Sequence, residues 1–419
     1  MEKRDLIIIG GGPAGMAAAL SAKENGINDI LIIERDENFG GVLQQCIHNG
    51  FGLTRFKENL TGPEYAAIFE KEVIEKNIEF MIGTTVIDIQ KDKTVTVINE
   101  SKGVFKIQAK AIILAMGCRE RSKGALNIAG TRPSGIFSAG TAQKYVNIKG
   151  LSVGKNVVIL GSGDIGLIMA RRMTLEGAKV LAVVEIMPYS SGLKRNIAQC
   201  LNDFNIPLYL SHTITNIIGK ERIESLTISE VDKDKKPIKG TEFDIKCDTL
   251  LLSVGLIPEN ELTKKAGVEL SPKTKGAKVD QTRETMQKGI FACGNVLQVH
   301  DLVDFVSEEA EIAGKYAAKY IQNGEKIKNF ISIENNEKIL YVLPQFIDIN
   351  LNEDFKLFFR VNACYKNVII ELSKKATNEI LYSKKKAIVT PGEMEHILIN
   401  KALVEKLNSD IVLKVSEVI

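Results

Sequence analysis

The stretch that decides the fold reads LIIIGGGPAG and occupies residues 6–15. An apolar run followed at once by glycines is typical of a buried parallel strand that turns sharply into a helix. A second stretch, VVILGSGDIG at residues 157–166, has the same form. Both contain Gly-x-Gly-x-x-Gly between a strand and a helix, the context in which this pattern binds a dinucleotide. The sequence therefore predicts two dinucleotide-binding units in one chain.

Each residue type in the first loop has a physical reason. Gly10 allows the tight turn, Gly12 lets the backbone approach a pyrophosphate, and Gly15 lets the helix pack closely on the strand. Pro13 falls in the first helical turn, where its missing N–H costs nothing and the free N–H groups of its neighbours face the phosphates. Glu34 ends the next apolar run and is placed to accept hydrogen bonds from an adenosine ribose.

The second loop repeats these features. Gly161, Gly163 and Gly166 occupy the same three places, and Glu185 ends the strand that follows the helix. A carboxylate at this point accepts hydrogen bonds from a free ribose and repels a 2′-phosphate. The second loop is therefore predicted to bind NAD rather than NADP.

The similarity of the two halves extends beyond the loops. After each strand–helix–strand unit the sequence predicts an antiparallel meander and then an apolar strand that ends near a glycine. The first set comprises residues 84–90, 93–99, 104–108 and 111–114, and the second comprises 213–218, 223–231, 242–245 and 249–252. The chain thus contains an internal duplication at the scale of a domain.

Composition excludes several classes of protein. The 419 residues are enough for two or three domains, and 44% apolar with 26% charged residues is ordinary for a globular chain. A net charge of +3 gives no electrostatic reason to bind nucleic acid or a membrane surface. The six cysteines are scattered, which disfavours a disulfide framework, a metal site or an iron–sulfur cluster. We therefore expect a cytoplasmic protein with no metal, no nucleic-acid partner and no membrane span.

On these motifs the chain resembles the flavoproteins with two dinucleotide-binding domains, the superfamily of thioredoxin reductase and glutathione reductase. The resemblance covers residues 4–325 and implies that the first loop holds FAD and the second holds the nicotinamide cofactor. The superfamily's third motif, a strand ending in Gly-Asp, reads GIFACGN at residues 289–295. Asn295 replaces the acid and can still hydrogen-bond a flavin ribityl hydroxyl. The helix predicted at residues 307–323 would point its N-terminal end at the flavin pyrimidine.

Two further stretches narrow the resemblance to one branch. GCRER at residues 117–121 and SGIFSAGTAQ at residues 134–143 are similar to the FAD/NAD subunits of opine oxidase, hydrogen cyanide synthase and sarcosine oxidase (alpha chain). They are most similar to oxidoreductases associated with anaerobic glycerol 3-phosphate metabolism. The resemblance implies a second flavoprotein subunit that oxidises the substrate.

The resemblance also assigns cofactor-binding residues. Those expected at FAD are Gly10, Gly12, Pro13, Ala14, Gly15, Glu34, Arg35, Gly41, Val86, Ala115, Gly117, Gly294 and Asn295. Those expected at NAD are Gly161, Gly163, Asp164, Ile165, Gly166, Glu185 and Gly255.

Candidate catalytic residues lie in LQQCIHNGFG, residues 43–52, which in the superfamily passes the isoalloxazine. Cys46 and His48 are either a polar wall of the flavin pocket, with His48 as a proton donor, or a buried cysteine and a capping histidine. No second cysteine stands at Cys-x-x-Cys or Cys-x4-Cys spacing, so we expect no redox disulfide. His300 and Asp301 either line the far side of the flavin or belong to an ordinary loop.

The predicted fold class is α/β, with two Rossmann-like domains, the second inserted in the first. The expected FAD-binding domain comprises residues 1–123 and 258–328, and the NAD-binding domain residues 124–257. Residues 329–419 form a small, mostly β domain that docks a partner subunit, with strands at 339–343, 356–361, 368–372 and 411–415. A short helix pair is expected from Pro391 through Leu407.

Three functions remain open from the sequence. The first is an FAD-dependent NAD(H) oxidoreductase acting as the electron-transfer subunit of a dehydrogenase complex for glycerol 3-phosphate or an amino-acid-like substrate. The second is a self-sufficient NADH:acceptor reductase that uses a quinone or oxygen. The third is a non-catalytic flavin-binding assembly subunit. The oligomeric state is also open, and a homo-oligomer is compatible with the sequence.

Overall fold

The computed structural model describes residues 1–418. The chain divides into two compact units: Met1–Cys118 together with the part from Pro258 onward, and Arg119–Ile257. No helix within residues 1–418 is both long enough and apolar enough to cross a bilayer.

The helices and strands are numbered in chain order. The part of the chain up to residue 120 contains β1 Glu2–Ile9, α1 Pro13–Glu24, β2 Ile30–Ile33, β3 Asn49–Phe51, β4 Leu60–Thr61, α2 Gly62–Glu75, β5 Glu79–Met81, β6 Thr84–Ile89, β7 Thr94–Asn99, β8 Gly103–Leu114 and β9 Cys118–Glu120. The middle part contains β10 Ala129–Gly130, β11 Ile136–Ser138, α3 Ala139–Asn147, β12 Asn156–Leu160, α4 Asp164–Leu175, β13 Lys179–Glu185, α5 Lys194–Cys200, β14 Leu208–Leu210, β15 His212–Gly219, β16 Ile223–Glu230, β17 Phe243–Lys246, β18 Thr249–Leu252 and β19 Leu256–Pro258. The last part contains α6 Glu261–Lys265, β20 Ile290–Ala292, α7 Val303–Asn323, β21 Phe330–Asn335, β22 Ile339–Leu343, β23 Phe346–Asp348, β24 Phe355–Val361, β25 Tyr365–Lys374, β26 Ile380–Val389, β27 Glu395–Ile399, α8 Lys401–Val404 and β28 Ile411–Glu417.

The first unit is built on a sheet of order β5-β2-β1-β8-β7-β6, with β20 also pairing with β8. Strands β5, β2, β1, β8 and β20 run parallel, whereas β7 and β6 form an antiparallel meander. Alternate residues of β1 enter two different cores. Leu6 and Ile8 face α1, α2 and α7, while Ile7 and Ile9 face the meander side. This two-sided burial explains why β1 is continuously apolar.

The predicted strands 104–108 and 111–114 are a single strand, β8. Its first half pairs with β7 and its second half pairs with β1, so the chain stays extended through residues 109 and 110. The long helix α7 begins at Val303, four residues earlier than predicted.

The second unit contains a parallel sheet of order β11-β18-β12-β13-β14 and a four-stranded sheet of order β10-β15-β16-β17. The strand–helix–strand segment β12-α4-β13 repeats β1-α1-β2, and the antiparallel hairpins β15-β16 and β16-β17 repeat the first meander. The α/β class and the duplicated βαβ segments predicted from the sequence are confirmed.

The C-terminal region, residues 329–418, has its own hydrophobic core between a sheet of order β23-β21-β28-β25-β26 and a sheet of order β22-β24-β27. The helix pair predicted from Pro391 to Leu407 is wrong. Glu395–Ile399 alternates buried and exposed residues and pairs antiparallel with β24, so the segment has the period of a strand. Only Lys401–Val404 is helical, capped by the Asn400 side chain, which accepts a hydrogen bond from Leu403 N.

Candidate functional site

The first glycine loop has the geometry that its sequence predicts. Gly10 has φ +108°, and a Cβ there would collide with Ala115 O. A Cβ on Gly15 would overlap Gly10 O, so glycine allows α1 to approach β1. Gly12 differs, because a Cβ at this position would meet nothing within 4 Å. Its backbone therefore faces open space at the N-terminus of α1.

Other residues predicted to bind FAD gather around this loop. Gly41 lies against it, since its Cβ would be 3.5 Å from the Cα of Gly12. Gly294 lies on the opposite side, where a Cβ would be 2.8 Å from the Cβ of Ala14. Gly117 follows β8, has φ +71° and also faces open space. Three segments that are distant in sequence thus meet at the N-terminal end of α1.

The remaining predicted FAD residues have ordinary positions. Pro13 is the first residue of α1, Arg35 is exposed, and Val86 is a partly buried residue of β6 that pairs with Val97. The structure does not bring Arg35 or Val86 into a contact that reveals a binding role.

Glu34 is buried and holds the first loop. Its Oε2 accepts from Gly11 N at 2.6 Å, and its Oε1 accepts from Asp36 N at 2.9 Å. Each carboxylate oxygen has more than one acceptor site, so Glu34 can still accept from a ribose hydroxyl.

The second loop has the same construction. Gly161 has φ +100° and lies against Ser253 O, and a Cβ on Gly166 would be 2.5 Å from Gly161 O. A Cβ on Gly163 would have Ser191 Oγ as its nearest neighbour, at 3.7 Å. A Cβ on Gly163 would thus make ordinary van der Waals contact with Ser191, whereas Gly12 faces open space.

The acidic residues of the second unit also hold its loop. Glu185 Oε2 accepts from Ser162 N at 2.9 Å and from Ser162 Oγ at 2.7 Å, and its Oε1 accepts from Met187 N at 2.9 Å. Asp164 Oδ1 accepts from Leu193 N at 2.8 Å, which ties the start of α4 to the start of α5. Ile165 packs on the core of this unit, and Gly255 has φ +101° and faces open space.

These arrangements fit two dinucleotides. In each unit a helix N-terminus, an exposed glycine backbone and a buried glutamate lie at one end of a parallel sheet. Free N–H groups at a helix N-terminus bind phosphate, and the glutamate is suited to a ribose. At Gly12 a pyrophosphate can approach the backbone with no side chain nearby, and at Gly163 the nearest side-chain atom to the Cβ position is Ser191 Oγ, at 3.7 Å.

A buried charged cluster supports the Gly294–Asn295 turn. Glu309 of α7 accepts from Gly294 N at 3.0 Å and from Arg283 Nε at 3.2 Å, and both charged residues are 1% exposed. Gln298 Nε2 donates to the same carboxylate at 3.1 Å. His300 Nε2 lies 3.3 Å from Glu309 Oε2, although not in hydrogen-bonding alignment.

The charge of Glu309 is stabilised by its neighbours. Burial disfavours the carboxylate, but His300, Arg283 and the Gly294 N–H outweigh that effect and hold the pKa of Glu309 below its ordinary value. A carboxylate that is ionised and fully buried is thus fixed to the backbone of the predicted FAD turn.

Asn295 and His300 are hydrogen-bonded to each other, whereas Asp301 is held by a different partner. Asn295 Oδ1 accepts from His300 N at 3.0 Å, which leaves its amide nitrogen as a donor. The His300 side chain is buried beside Glu309, and Asp301 pairs with Arg360. Neither His300 nor Asp301 sits in an unconnected loop.

Cys46 and His48 lie next to the loop that leads to α2. Cys46 Sγ donates to Val42 O at 3.3 Å, and burial raises the pKa of the Cys46 thiol to about 12. A thiol in this state is a poor nucleophile at neutral pH. His48 Nδ1 lies 3.0 Å from Asn49 O, and its ring contacts Phe51 with centroids 5.1 Å apart. No cysteine within residues 1–418 forms a disulfide.

Sequence reasoning missed Glu309, Arg283, Ser253 and Arg360. Glu309 carried a signal that could have been used. It falls at helical spacing with Val306, Ala310 and Ala313, so a charged residue occupies the buried face of α7. The other three carry no local pattern, because their partners are distant in sequence.

Comparison with known proteins agrees with this construction. The sequence matches the family described as pyridine nucleotide-disulphide oxidoreductase over residues 4–317. It is 24% identical over 283 residues to hydrogen cyanide synthase subunit HcnB of Pseudomonas protegens, covering 63% of this chain and 59% of that protein. It is 25% identical to an NADH oxidase of Methanocaldococcus jannaschii, covering 78% and 70% of the two chains. It is 23% identical to a subunit of the opine oxidase of Agrobacterium tumefaciens, covering 75% and 64%. The matched part thus spans about three fifths of the length of two of these relatives.

Among solved structures, thioredoxin reductase of T. acidophilum superposes with a TM-score of 0.61, at 23% identity, over 77% of this chain and 98% of that one. This likeness concerns the fold alone. The family match and the two glycine loops identify the chain as a member of the pyridine nucleotide-disulphide oxidoreductase family, an oxidoreductase that uses FAD and a pyridine nucleotide.

Proposed function

We propose that this protein passes electrons between NAD(H) and FAD without a redox disulfide, as one component of a dehydrogenase complex. The observation that carries the proposal is the matched pair of glycine loops, in which Gly12 and Gly163 have no neighbour closer than 3.7 Å to a Cβ position and a buried glutamate holds each loop. Two such cradles provide for two dinucleotides in one chain.

In the proposed mechanism, most of the named residues bind the cofactors and do not take part in the chemistry. When bound, the two cofactors supply the hydride chemistry themselves, between nicotinamide C4 and flavin N5. The first loop, with Glu34, Gly41, Gly117 and Asn295, would hold FAD, and the second loop, with Glu185 and Gly255, would hold NAD. The raised pKa of Cys46 argues against a thiolate step. His48 remains our candidate for a proton donor beside the flavin.

Membership in a complex is supported by the relatives. The hydrogen cyanide synthase and opine oxidase proteins that this chain resembles are both named as subunits. We propose that a second flavoprotein oxidises the substrate, glycerol 3-phosphate or an amino-acid-like compound, and that the C-terminal region docks this partner. The similarity to an NADH oxidase favours a second candidate, a self-sufficient NADH:acceptor reductase.

The two cradles can be tested against each other with the same substitution. Gly12 and Gly163 have extended backbones with φ −76° and −68°, and an alanine Cβ meets no atom closer than 3.7 Å at either. Gly12→Ala and Gly163→Ala should therefore both fold. We expect Gly12→Ala to bind FAD at least about tenfold more weakly, because the methyl group blocks close approach of the pyrophosphate.

The second variant serves as the control. Gly163→Ala should bind FAD as the wild type does. Reduction of its flavin, monitored by the loss of visible absorbance, should require a higher concentration of NADH. The reverse pattern would mean that the two cofactors occupy the opposite loops. Failure of NADH to reduce the flavin of the wild-type chain would reject the proposed electron transfer.

A further experiment separates the two candidate roles. Steady NADH turnover by the isolated chain with oxygen or a soluble quinone would favour the self-sufficient reductase. A chain that is reduced by NADH but turns over only with a co-purified flavoprotein would favour the role in a complex. If the chain is isolated from its native extract as a lone monomer, the docking proposal fails.

A further inference from the structure

Asp301 follows the predicted FAD turn and is held entirely by the C-terminal region. Arg360 Nη2 of β24 donates to Asp301 Oδ1 at 2.7 Å. Met394 N donates to Asp301 Oδ2 at 2.7 Å. The same guanidinium reaches Val299 O at 3.4 Å. The C-terminal region therefore binds the residues on both sides of His300, Val299 and Asp301.

Arg360 is fixed as firmly as the group it holds. Its side chain is only 14% exposed, and it donates to Pro391 O at 2.7 Å and to Tyr341 Oη at 3.3 Å. A planar guanidinium with several filled donor positions orients its partner more precisely than a flexible ammonium group does. The Arg360 side chain is thus held in a fixed orientation on the C-terminal sheet β22-β24-β27.

The segment that Arg360 contacts, residues 299–301, is connected to the Gly294–Asn295 turn. His300 N donates to Asn295 Oδ1, and Gly294 N donates to Glu309, each at 3.0 Å. Two buried atoms of residues 294–302, His300 Nδ1 and Gln298 Oε1, have no hydrogen-bond partner among residues 1–418. Contacts from outside these residues, by Glu309 and by Arg360, add to their internal hydrogen bond between His300 N and Asn295 Oδ1.

We propose that Arg360 is a positioning residue for the flavin, acting through Asp301 to hold residues 294–302 in the shape that presents the Asn295 amide and the N-terminus of α7. This inference rests on the proposed FAD site. It gives the C-terminal region a part in the cofactor site in addition to its proposed docking role. The alternative is a C-terminal region that is independent of the flavin.

The test substitutes Arg360→Gln and compares it with Lys356→Gln. Lys356 lies on the same strand and pairs with Glu308, so it also joins the C-terminal region to α7, but its ion pair is with the helix and not with residues 294–301. We expect Arg360→Gln to weaken FAD binding about tenfold and to shift the flavin midpoint potential, with Lys356→Gln within about twofold of wild type. FAD binding is followed by flavin fluorescence, and the potential by equilibration with reference dyes.

A double-mutant cycle distinguishes loss of the Arg360–Asp301 contact from a general loss of folding. Asp301→Asn removes the charge with little change of shape, and it should reproduce the effect of Arg360→Gln. The double variant should be no worse than the more affected single variant, because both substitutions break one contact. Wild-type FAD affinity and potential in both single variants, or fully additive effects in the double variant, would overturn the proposal.

Failure of this inference can be distinguished from failure of the proposed function. If Gly12→Ala abolishes FAD binding while Arg360→Gln leaves affinity and potential unchanged, only the positioning role fails. If Gly12→Ala binds FAD normally, the assignment of the FAD site itself is at fault.

Discussion

Among single residues, the two halves of the chain repeat one hydrogen-bonding device. Glu34 accepts from the N–H of the second loop residue, Gly11, and from the N–H two residues after itself. Glu185 makes the same two contacts with Ser162 and Met187. The glutamate therefore shapes the loop, in addition to its proposed role at a ribose, and these hydrogen bonds explain why both glutamates are buried although charged.

The charge of Glu185 should decide which nicotinamide cofactor is used. Glu185→Ala and Glu185→Gln both remove the negative charge that repels a 2′-phosphate, and the glutamine keeps an acceptor for the loop. We expect the preference for NADH over NADPH to fall by about tenfold in both variants. The measurement is the ratio of the apparent dissociation constants from flavin reduction. Glu34→Gln is the control, and an unchanged ratio in the Glu185 variants would contradict the ribose role.

Residues with local patterns could be predicted from sequence, and residues with distant partners could not. The glycine spacing and the two glutamates were visible because a strand, a turn and a helix follow each other directly in the chain. Arg283 and Glu309 form an ion pair although they are 26 residues apart, and the sequence near either residue has no pattern that predicts the other as its partner. The effect of Cys46 burial on its pKa likewise depends on tertiary packing.

Among the helices and strands, α1 and α7 cross at a point that requires a small residue. A Cβ on Gly314 would collide with Ala18 O and lie 3.0 Å from Ser21 Cβ. Ser21 Oγ donates to Glu311 O at 2.8 Å beside this crossing. The crossing sets the position of α7, and with it that of Glu309.

Gly314→Ala should therefore destabilise the first unit. Alanine favours a helix by about 1 kcal/mol over glycine, but overlap with backbone atoms costs about 1–3 kcal/mol and forces α7 away from α1. We expect a lower urea midpoint for loss of the first unit and weaker FAD binding. Gly12→Ala, whose methyl group meets no atom within 4 Å, controls for the substitution and should keep the wild-type midpoint when both proteins are unfolded without FAD.

The elements differ in how well the sequence predicts them. The strands at Ile339–Leu343 and Thr249–Leu252 have the predicted bounds, because each is a short apolar run between clear breaks. The segment after Pro391 was wrongly interpreted as helical. Its strand depends on pairing with β24 and on the Lys386–Glu395 ion pair from β26, both of which are tertiary contacts.

Across the molecule as a whole, the C-terminal region is joined to the first unit by more than Arg360. Glu353 lies between Lys315 and Lys319 of α7, at 2.8 Å and 2.9 Å. Gln281 and Asp348 exchange two hydrogen bonds of 2.8 Å. These contacts make the region a fixed part of the first unit.

The Glu353 contact should make stability depend on pH in a defined window. Burial raises its pKa, but the two lysines outweigh burial and hold the pKa of Glu353 at about 2, below the ordinary 4.5. A lowered folded-state pKa contributes stability that is present above pH 4.5 and is lost as the pH falls toward 2. We expect Glu353→Gln to cost about 1 kcal/mol at pH 6, allowing for solvent screening.

That difference should shrink by about half on going to pH 3. The measurement is the unfolding midpoint of wild type and variant at both values. Glu334→Gln removes the exposed pair with Lys375 and is the matched control, with an expected effect below about 0.5 kcal/mol at either pH. A Glu353→Gln difference that grows with acidity would have the wrong sign.

The insertion of one unit in the other has a consequence for synthesis on the ribosome. Every strand of the sheets β11-β18-β12-β13-β14 and β10-β15-β16-β17 lies between residues 119 and 257, and Arg121 N donates to Gly255 O at 3.0 Å where this segment closes on itself. The sheet of the first unit must instead wait for β20, which pairs residue 290 with residue 112. Because the chain is synthesised from its N-terminus, the inserted unit can fold completely while the first unit still lacks β20. During that interval the open edge of β8 is exposed to aggregation, and the inserted unit is the only finished fold on the nascent chain.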